Sequence, residues 1–298
     1  MKRILSIDGG GIRGIIPAST LVALEQQLGK PVRECFDFVA GTSTGALISA
    51  AAAAGVPATR IVDIYVQRAN EIFTPPRIIA DAERLVKGYM YDPANIRKVL
   101  ESEFGAAKNW KLNDSPIRLL ITAKGIDTHP WYFVRDNPKN AQTTGKLGLV
   151  DCAVASASAP TYFAPWNIQI DGHKTVLVDG GVGVTGNPVY QACVEAFYYD
   201  EFTPADTRVV SLGTGFFPPG NNTPCGLLGW LEWTVDALLD APEEQQTQIV
   251  QRHFPGILKR FDWKLPEAID MADTDAIPTL VTAGQKAAAA MDWNAILA

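Results

Sequence analysis

Phe36-Asp37-Phe38-Val39-Ala40-Gly41-Thr42-Ser43-Thr44-Gly45 runs from a short apolar segment into a serine bracketed by glycines. Phe36 to Ala40 reads as a strand that stops at Gly41. Thr44 to Ala54 then reads as an alanine-rich helix closed by Gly55. Between them, Gly41-Thr42-Ser43-Thr44-Gly45 has the Gly-x-Ser-x-Gly form of a nucleophile elbow. Small residues two before and two after the serine permit a sharp turn that lifts a hydroxyl to a helix N-terminus. Ser43 or Thr42 acting as a plain helix cap is the competing reading.

Upstream, Arg3 to Asp8 is a second apolar strand. It runs into Gly9-Gly10-Gly11-Ile12-Arg13-Gly14 and then a helix, Ile15 to Leu28, closed by Gly29. Strand, loop, helix, strand, turn and helix in succession predict an α/β fold with a mostly parallel sheet and helices on its faces. Downstream, helices are expected at Ala58 to Phe73, Asp92 to Phe104, Leu149 to Ser158 and Pro188 to Tyr199. Strands are expected at Ile117 to Ala123, Trp131 to Arg135, Thr175 to Val178 and Arg208 to Leu212. After Pro218-Pro219-Gly220 the pattern is helical to the end, broken by prolines. With no repeat and no clear linker, one domain over 1–298 is expected.

The 298 residues carry 26 Lys plus Arg against 32 Asp plus Glu, a formal charge of −6, which argues against a nucleic-acid binder. No apolar run is long enough for a transmembrane segment, and the N-terminus lacks the apolar stretch of a signal peptide. Cys35, Cys152, Cys193 and Cys225 are far apart and read as reduced thiols. A cytoplasmic protein is therefore expected. Three histidines without ligand spacing make a zinc enzyme improbable, and no metal or cofactor is expected.

Glycines between a strand and a helix expose backbone N–H groups that suit an anion or a developing negative charge. Gly9, Gly11 and Gly14 also match the dinucleotide fingerprint, so a nucleotide-binding module is the alternative function. That fingerprint wants an acidic residue at the end of the second strand, where this chain has Gly41. Asp179-Gly180-Gly181 follows a strand and places an acid at a sheet edge; a plain surface turn would look the same. A serine nucleophile needs a base. Ser43, Asp179 and His253 have the chain order of a hydrolase triad, but His253 lies among helices with no strand end beside it. The other scheme has two residues, with a partly buried Asp179 as base.

Three segments in this order, Asp8-Gly9-Gly10-Gly11-Ile12-Arg13-Gly14, Gly41-Thr42-Ser43-Thr44-Gly45 and Asp179-Gly180-Gly181, resemble the patatin-like phospholipases. Ala155 to Pro165 and Ser211-Leu212-Gly213-Thr214-Gly215 agree with the resemblance, which spans Asp8 to Gly215. It implies a three-layer α/β/α sandwich with a helical C-terminal region, and a calcium-independent lipid acyl hydrolase. It also implies Ser43 as nucleophile, Asp179 as base, and Gly9, Gly10 and Gly11 around an oxyanion hole, with Gly10 and Gly11 as donors. Arg13 would hold the lipid phosphate or structure the loop, and Gly14, Gly41, Gly45, Gly180 and Gly181 would be motif glycines. Some bacterial relatives are switched on by a nucleotide signal; this chain shows no motif for one.

The partner implied is a lipid at a membrane or micelle surface, met peripherally. Leu227 to Leu239 is the best candidate for an amphipathic contact, but its acidic stripe (Glu232, Asp236, Asp240) would be repelled by anionic lipid and favours a core helix, with a partner-helix or acyl-pocket role also open. Arg77 to Tyr91 is expected to be an irregular, gating connection.

Overall fold

Lys2–Ile7 (β1) and Phe38–Gly41 (β2) pair in parallel, with Ile4 opposite Phe38 and Ile7 opposite Gly41. Both are largely apolar because helices cover the sheet on both faces there. The computed structural model describes residues 1–74, 88–139, 143–218 and 244–298. Its central sheet is mixed. Five strands run parallel in the order Leu258–Phe261 (β10), Thr207–Leu212 (β9), β1, β2 and Arg118–Gly125 (β4). Pro130–Val134 (β5) and His173–Asp179 (β8) join β4 antiparallel, and Trp166–Ile170 (β7) joins β8 in the same sense.

Side chains alternate across this sheet into two cores. Leu5, Val39, Ile121 and Val210 enter the larger one. It lies under Ile15–Leu28 (α1), Thr44–Ala54 (α2), Ala58–Ile72 (α3), Ala94–Glu103 (α4) and Leu149–Ser156 (α5). Ile4, Phe38, Leu120 and Val209 enter the smaller one, covered by Val189–Val194 (α6) and the helix over 244–253. Ile277–Ala289 (α7) and Trp293–Leu297 (α8) return to the larger core. Full burial of Ile15, Ile16, Leu21 and Leu24 along α1 is worth about 1.5–3 kcal/mol for each side chain relative to exposure. Trp293 is also fully buried, and its indole N–H donates to the Thr20 carbonyl at 2.9 Å. The three-layer α/β expectation therefore stands.

The tail is helical over 244–253 and in α7 and α8, but not throughout. Leu258–Phe261 is a strand, paired in parallel with β9 from Leu258 opposite Val209 to Phe261 opposite Leu212. Leu-Lys-Arg-Phe has no strand periodicity of its own; the open edge of β9 makes it one. The segment Thr161–Phe163 (β6), paired with Tyr89–Tyr91 (β3), and β7 are likewise strands that local pattern did not announce. Tyr89–Tyr91 closes the connection expected to be irregular. Most of that connection, from Arg77 to Lys87, and the amphipathic stretch Leu227 to Leu239 lie outside the described residues. Among the described residues no helix is long and apolar enough to cross a membrane.

Candidate active site

The turn after β2 is as tight as its glycines allow. A Cβ on Gly41 would overlap the Gly45 carbonyl, and one on Gly45 would overlap the Ile7 carbonyl. Ser43 sits between them at φ 55°, ψ −123°, a strained conformation for a residue with a side chain. Its carbonyl starts α2, accepting from Ala46 N–H at 2.9 Å and Leu47 N–H at 3.1 Å. Its own N–H donates to the Ser156 hydroxyl at 2.8 Å. The Ser43 side chain makes no capping bond to the helix, so the plain-cap reading fails; its hydroxyl lies beside the Asp179 carboxylate and favours that group's charged form.

Strand β4 brings the two together. Residues Leu120 and Ile121 pair with β2 on one side and β5 on the other, and Ala123 pairs with both β5 and β8. A strand has two edges, so β2 and β8 occupy the same edge of β4 in succession. Ile121 faces Gly41; two residues on, Ala123 faces Asp179. A threonine cluster locks this junction. The Thr42 hydroxyl donates to the Thr185 carbonyl at 2.5 Å, so the Thr122 hydroxyl, 2.7 Å away, is the donor to Thr42. Thr185 in turn donates to the Gly180 carbonyl at 2.5 Å. A Cβ on Gly180 would overlap the Thr122 hydroxyl.

Asp179 is buried, with 5% exposure. Burial pushes its carboxyl up to about 6, while the Ser43 hydroxyl beside it and the bond from the Gly181 N–H, at 2.7 Å, pull it down. The result is a carboxylate near the ionisation range useful to a general base at neutral pH.

The glycine loop after β1 lies beside this pair. A Cβ on Gly9 would come within 3.3 Å of the Ser43 Cβ. Gly9 N–H donates to the Gly186 carbonyl at 2.9 Å, and the Gly9 carbonyl accepts from Thr214 at 2.7 Å. Gly10 and Gly11 have φ of 148° and 57°, and a Cβ on either would overlap Thr214 or Met271. The clearance these glycines create is thus filled by the protein itself. A dinucleotide site would keep it for a pyrophosphate. Arg13 donates to the carbonyls of Gly10 at 3.3 Å and Gly215 at 3.4 Å. A Cβ on Gly14 would overlap the Thr44 hydroxyl at the start of α2. Asp8, fully buried, pairs with Arg260 of β10 at 2.7 Å. Burial raises the Asp8 carboxyl to about 7 against the pull of that guanidinium.

From Ser43 and Gly11 an apolar pocket extends between α2, α3 and α4, with Leu47, Tyr65, Ala69, Ile72, Ile96 and Phe163 on its walls. The histidines stand elsewhere. His253 is exposed, its Nδ1 3.0 Å from the Ile249 carbonyl and its ring near Tyr190 on the smaller-core side. His173 begins β8 at the end opposite Asp179, and His129 stacks edge-on against Trp131.

Ser156, Thr122, Thr185 and Arg260 are site residues that sequence reasoning did not single out. Ser156 and Thr214 fall within or beside segments already noted for their resemblance. Arg260 has no local signal, because its strand was not legible.

The profile of the patatin-like phospholipase family matches residues 5–192. The chain is 28% identical to the cGAMP-activated phospholipase of Vibrio cholerae, over 96% of this chain and 90% of that one. It is 30% identical to Patatin-like protein 2 of Arabidopsis thaliana, over 86% and 72%. With the mouse calcium-independent phospholipase A2-gamma it shares 29% identity over 72% of this chain and 28% of that one.

Proposed function

This chain belongs to the patatin-like phospholipase family, lipid acyl hydrolases, and we propose that it cleaves phospholipid or related glycerolipid esters with a Ser43–Asp179 dyad. The observation that carries this reading is a strained, pocket-facing serine whose hydroxyl lies beside a buried carboxylate. The acyl chain lies in the apolar pocket, with its ester carbonyl over Ser43. Ser43 Oγ attacks that carbonyl carbon as its proton passes to Asp179. The negative charge that forms on the carbonyl oxygen is met by the N–H groups of Gly10 and Gly11, since Gly9 N–H is already committed to Gly186. Collapse breaks the ester C–O bond, and the lysolipid oxygen takes the proton from Asp179. Water, deprotonated by Asp179, then attacks the acyl-serine; the acyl C–Oγ bond breaks, Ser43 Oγ takes the proton back from Asp179, and the fatty acid is released.

Arg13, bonded to two loop carbonyls, structures the loop in this scheme rather than holding phosphate. The lipid is reached from a membrane or micelle surface by peripheral contact. The test is labelling by a fluorophosphonate together with product mass spectrometry on a mixed lipid extract. Native protein is expected to label at Ser43 and to release fatty acid and lysolipid. Ser43→Ala is expected to lose both, and Asp179→Asn to lose turnover by about 10³-fold or more. Labelling at another residue, or turnover in Ser43→Ala, overturns the reading.

A further inference from the structure

The glycine loop has a problem of its own making. Gly10 and Gly11 adopt backbone angles open to them because they lack side chains, and the same freedom lets the loop adopt many others. Donors in an oxyanion hole act only when held within a fraction of an ångström of the developing charge. Something must therefore hold the loop from outside.

One guanidinium reaches both of its ends. Arg260 Nη2 lies 2.7 Å from Asp8 Oδ2, the residue directly before Gly9. The same nitrogen lies 3.0 Å from Asp262 Oδ2. The other oxygen of Asp262 accepts from the Gly215 N–H at 2.9 Å. The Gly215 carbonyl accepts from Arg13, which also holds the Gly10 carbonyl. Arg260 Nη1 donates to the Ser211 hydroxyl at 2.9 Å, tying the group to β9. The family match ends at 192, so Arg260 and Asp262 come from a part of the chain that it does not cover.

We propose that Arg260 is the positioning residue of the glycine loop, fixing its start through Asp8 and its end through Asp262, Gly215 and Arg13. This rests on the reading of Gly10 and Gly11 as oxyanion donors. A planar fork serves here better than an ammonium, because carboxylates and a hydroxyl must be met together in fixed directions. A role confined to fold stability would lower the fraction of intact sites. A positioning role lowers turnover at each intact site.

The experiment measures kcat and KM on a soluble nitrophenyl ester, per site titrated with fluorophosphonate, for native protein, Arg260→Lys and Arg260→Met. Asp8→Asn with Arg260→Met is included, because it removes the stranded carboxylate should the single variant fail to fold. Hydrogen exchange of the peptide over 9–14 is followed in parallel. Arg260→Met and the double variant are expected to lose about tenfold or more in kcat per titrated site, with KM within about twofold. Arg260→Lys is expected to fall between, and exchange over 9–14 to quicken about tenfold in the methionine variants. Native-like kcat per site, or exchange unchanged over 9–14, overturns the proposal. Quickened exchange in a chain whose native form neither labels nor turns over would keep the loop clamp and reject the catalytic reading of the loop.

Discussion

Ser43 and Asp179 meet because the strands that carry them, β2 and β8, occupy consecutive stretches of one edge of β4. The closeness of hydroxyl and carboxylate is thus a consequence of strand register, and the threonines packed around the junction hold that register at side-chain resolution.

Asp179 has to be ionised to accept the serine proton, and its carboxyl titrates at about 6. The kcat/KM for a soluble ester is expected to be level above that pH and to fall about tenfold for each pH unit below it. The profile in His253→Ala is expected to superimpose on the native one, since His253 is exposed and bonded to Ile249. A profile set by a group near neutrality that vanishes in His253→Ala would restore the triad scheme.

The same burial costs stability. Burial lifts the folded carboxyl to about 6 from its ordinary 3.8, so the folded state binds the proton more tightly. Stability is therefore lost as pH rises from about 4 to about 6, by about 3 kcal/mol at most for this group. Asp179→Asn, inactive, is expected to melt higher than native protein at pH 7. That advantage is expected to vanish near pH 4, where both proteins hold a neutral side chain. Melting curves at the two pH values decide it.

Glycines differ sharply in what they tolerate. Gly45→Ala drives a Cβ into the Ile7 carbonyl at the base of the elbow. It is expected to cost about 1–3 kcal/mol or more and to abolish fluorophosphonate labelling. Gly29→Ala meets nothing within 4 Å and bears only its φ of 64°, so it is expected to cost about 1 kcal/mol and to keep activity. Chemical denaturation of both variants checks the contrast.

Ala69 is a small, buried wall residue of the pocket. A larger side chain there displaces part of an acyl chain, and each methylene left unburied forfeits about 0.8 kcal/mol. Ala69→Phe is expected to lower kcat/KM on a palmitoyl ester by on the order of tenfold relative to a butyryl ester. Equal losses on the two esters would show that the chain does not enter between α2 and α3.

The elbow was legible from sequence because it is a local device: each of its glycines answers a clash within the turn or with the strand beside it. Burial of short apolar strands between helical layers was legible for the same reason, since alternation and run length are written into contiguous residues. The strand at Leu258–Phe261 was not, because a charged, half-buried edge segment takes its conformation from the strand it pairs with.

The amino-acid sequence by itself determined the kinds of group present: a serine at a strand–helix turn, a carboxylate at a strand end, and glycines able to present backbone N–H groups. Only the tertiary structure decided that Asp179, rather than any histidine, faces Ser43, and that Arg260 reaches the glycine loop. The physical reason is that side-chain pairing over long separations depends on strand order and register. These are set by how all the strands share two cores, and no local stretch encodes them.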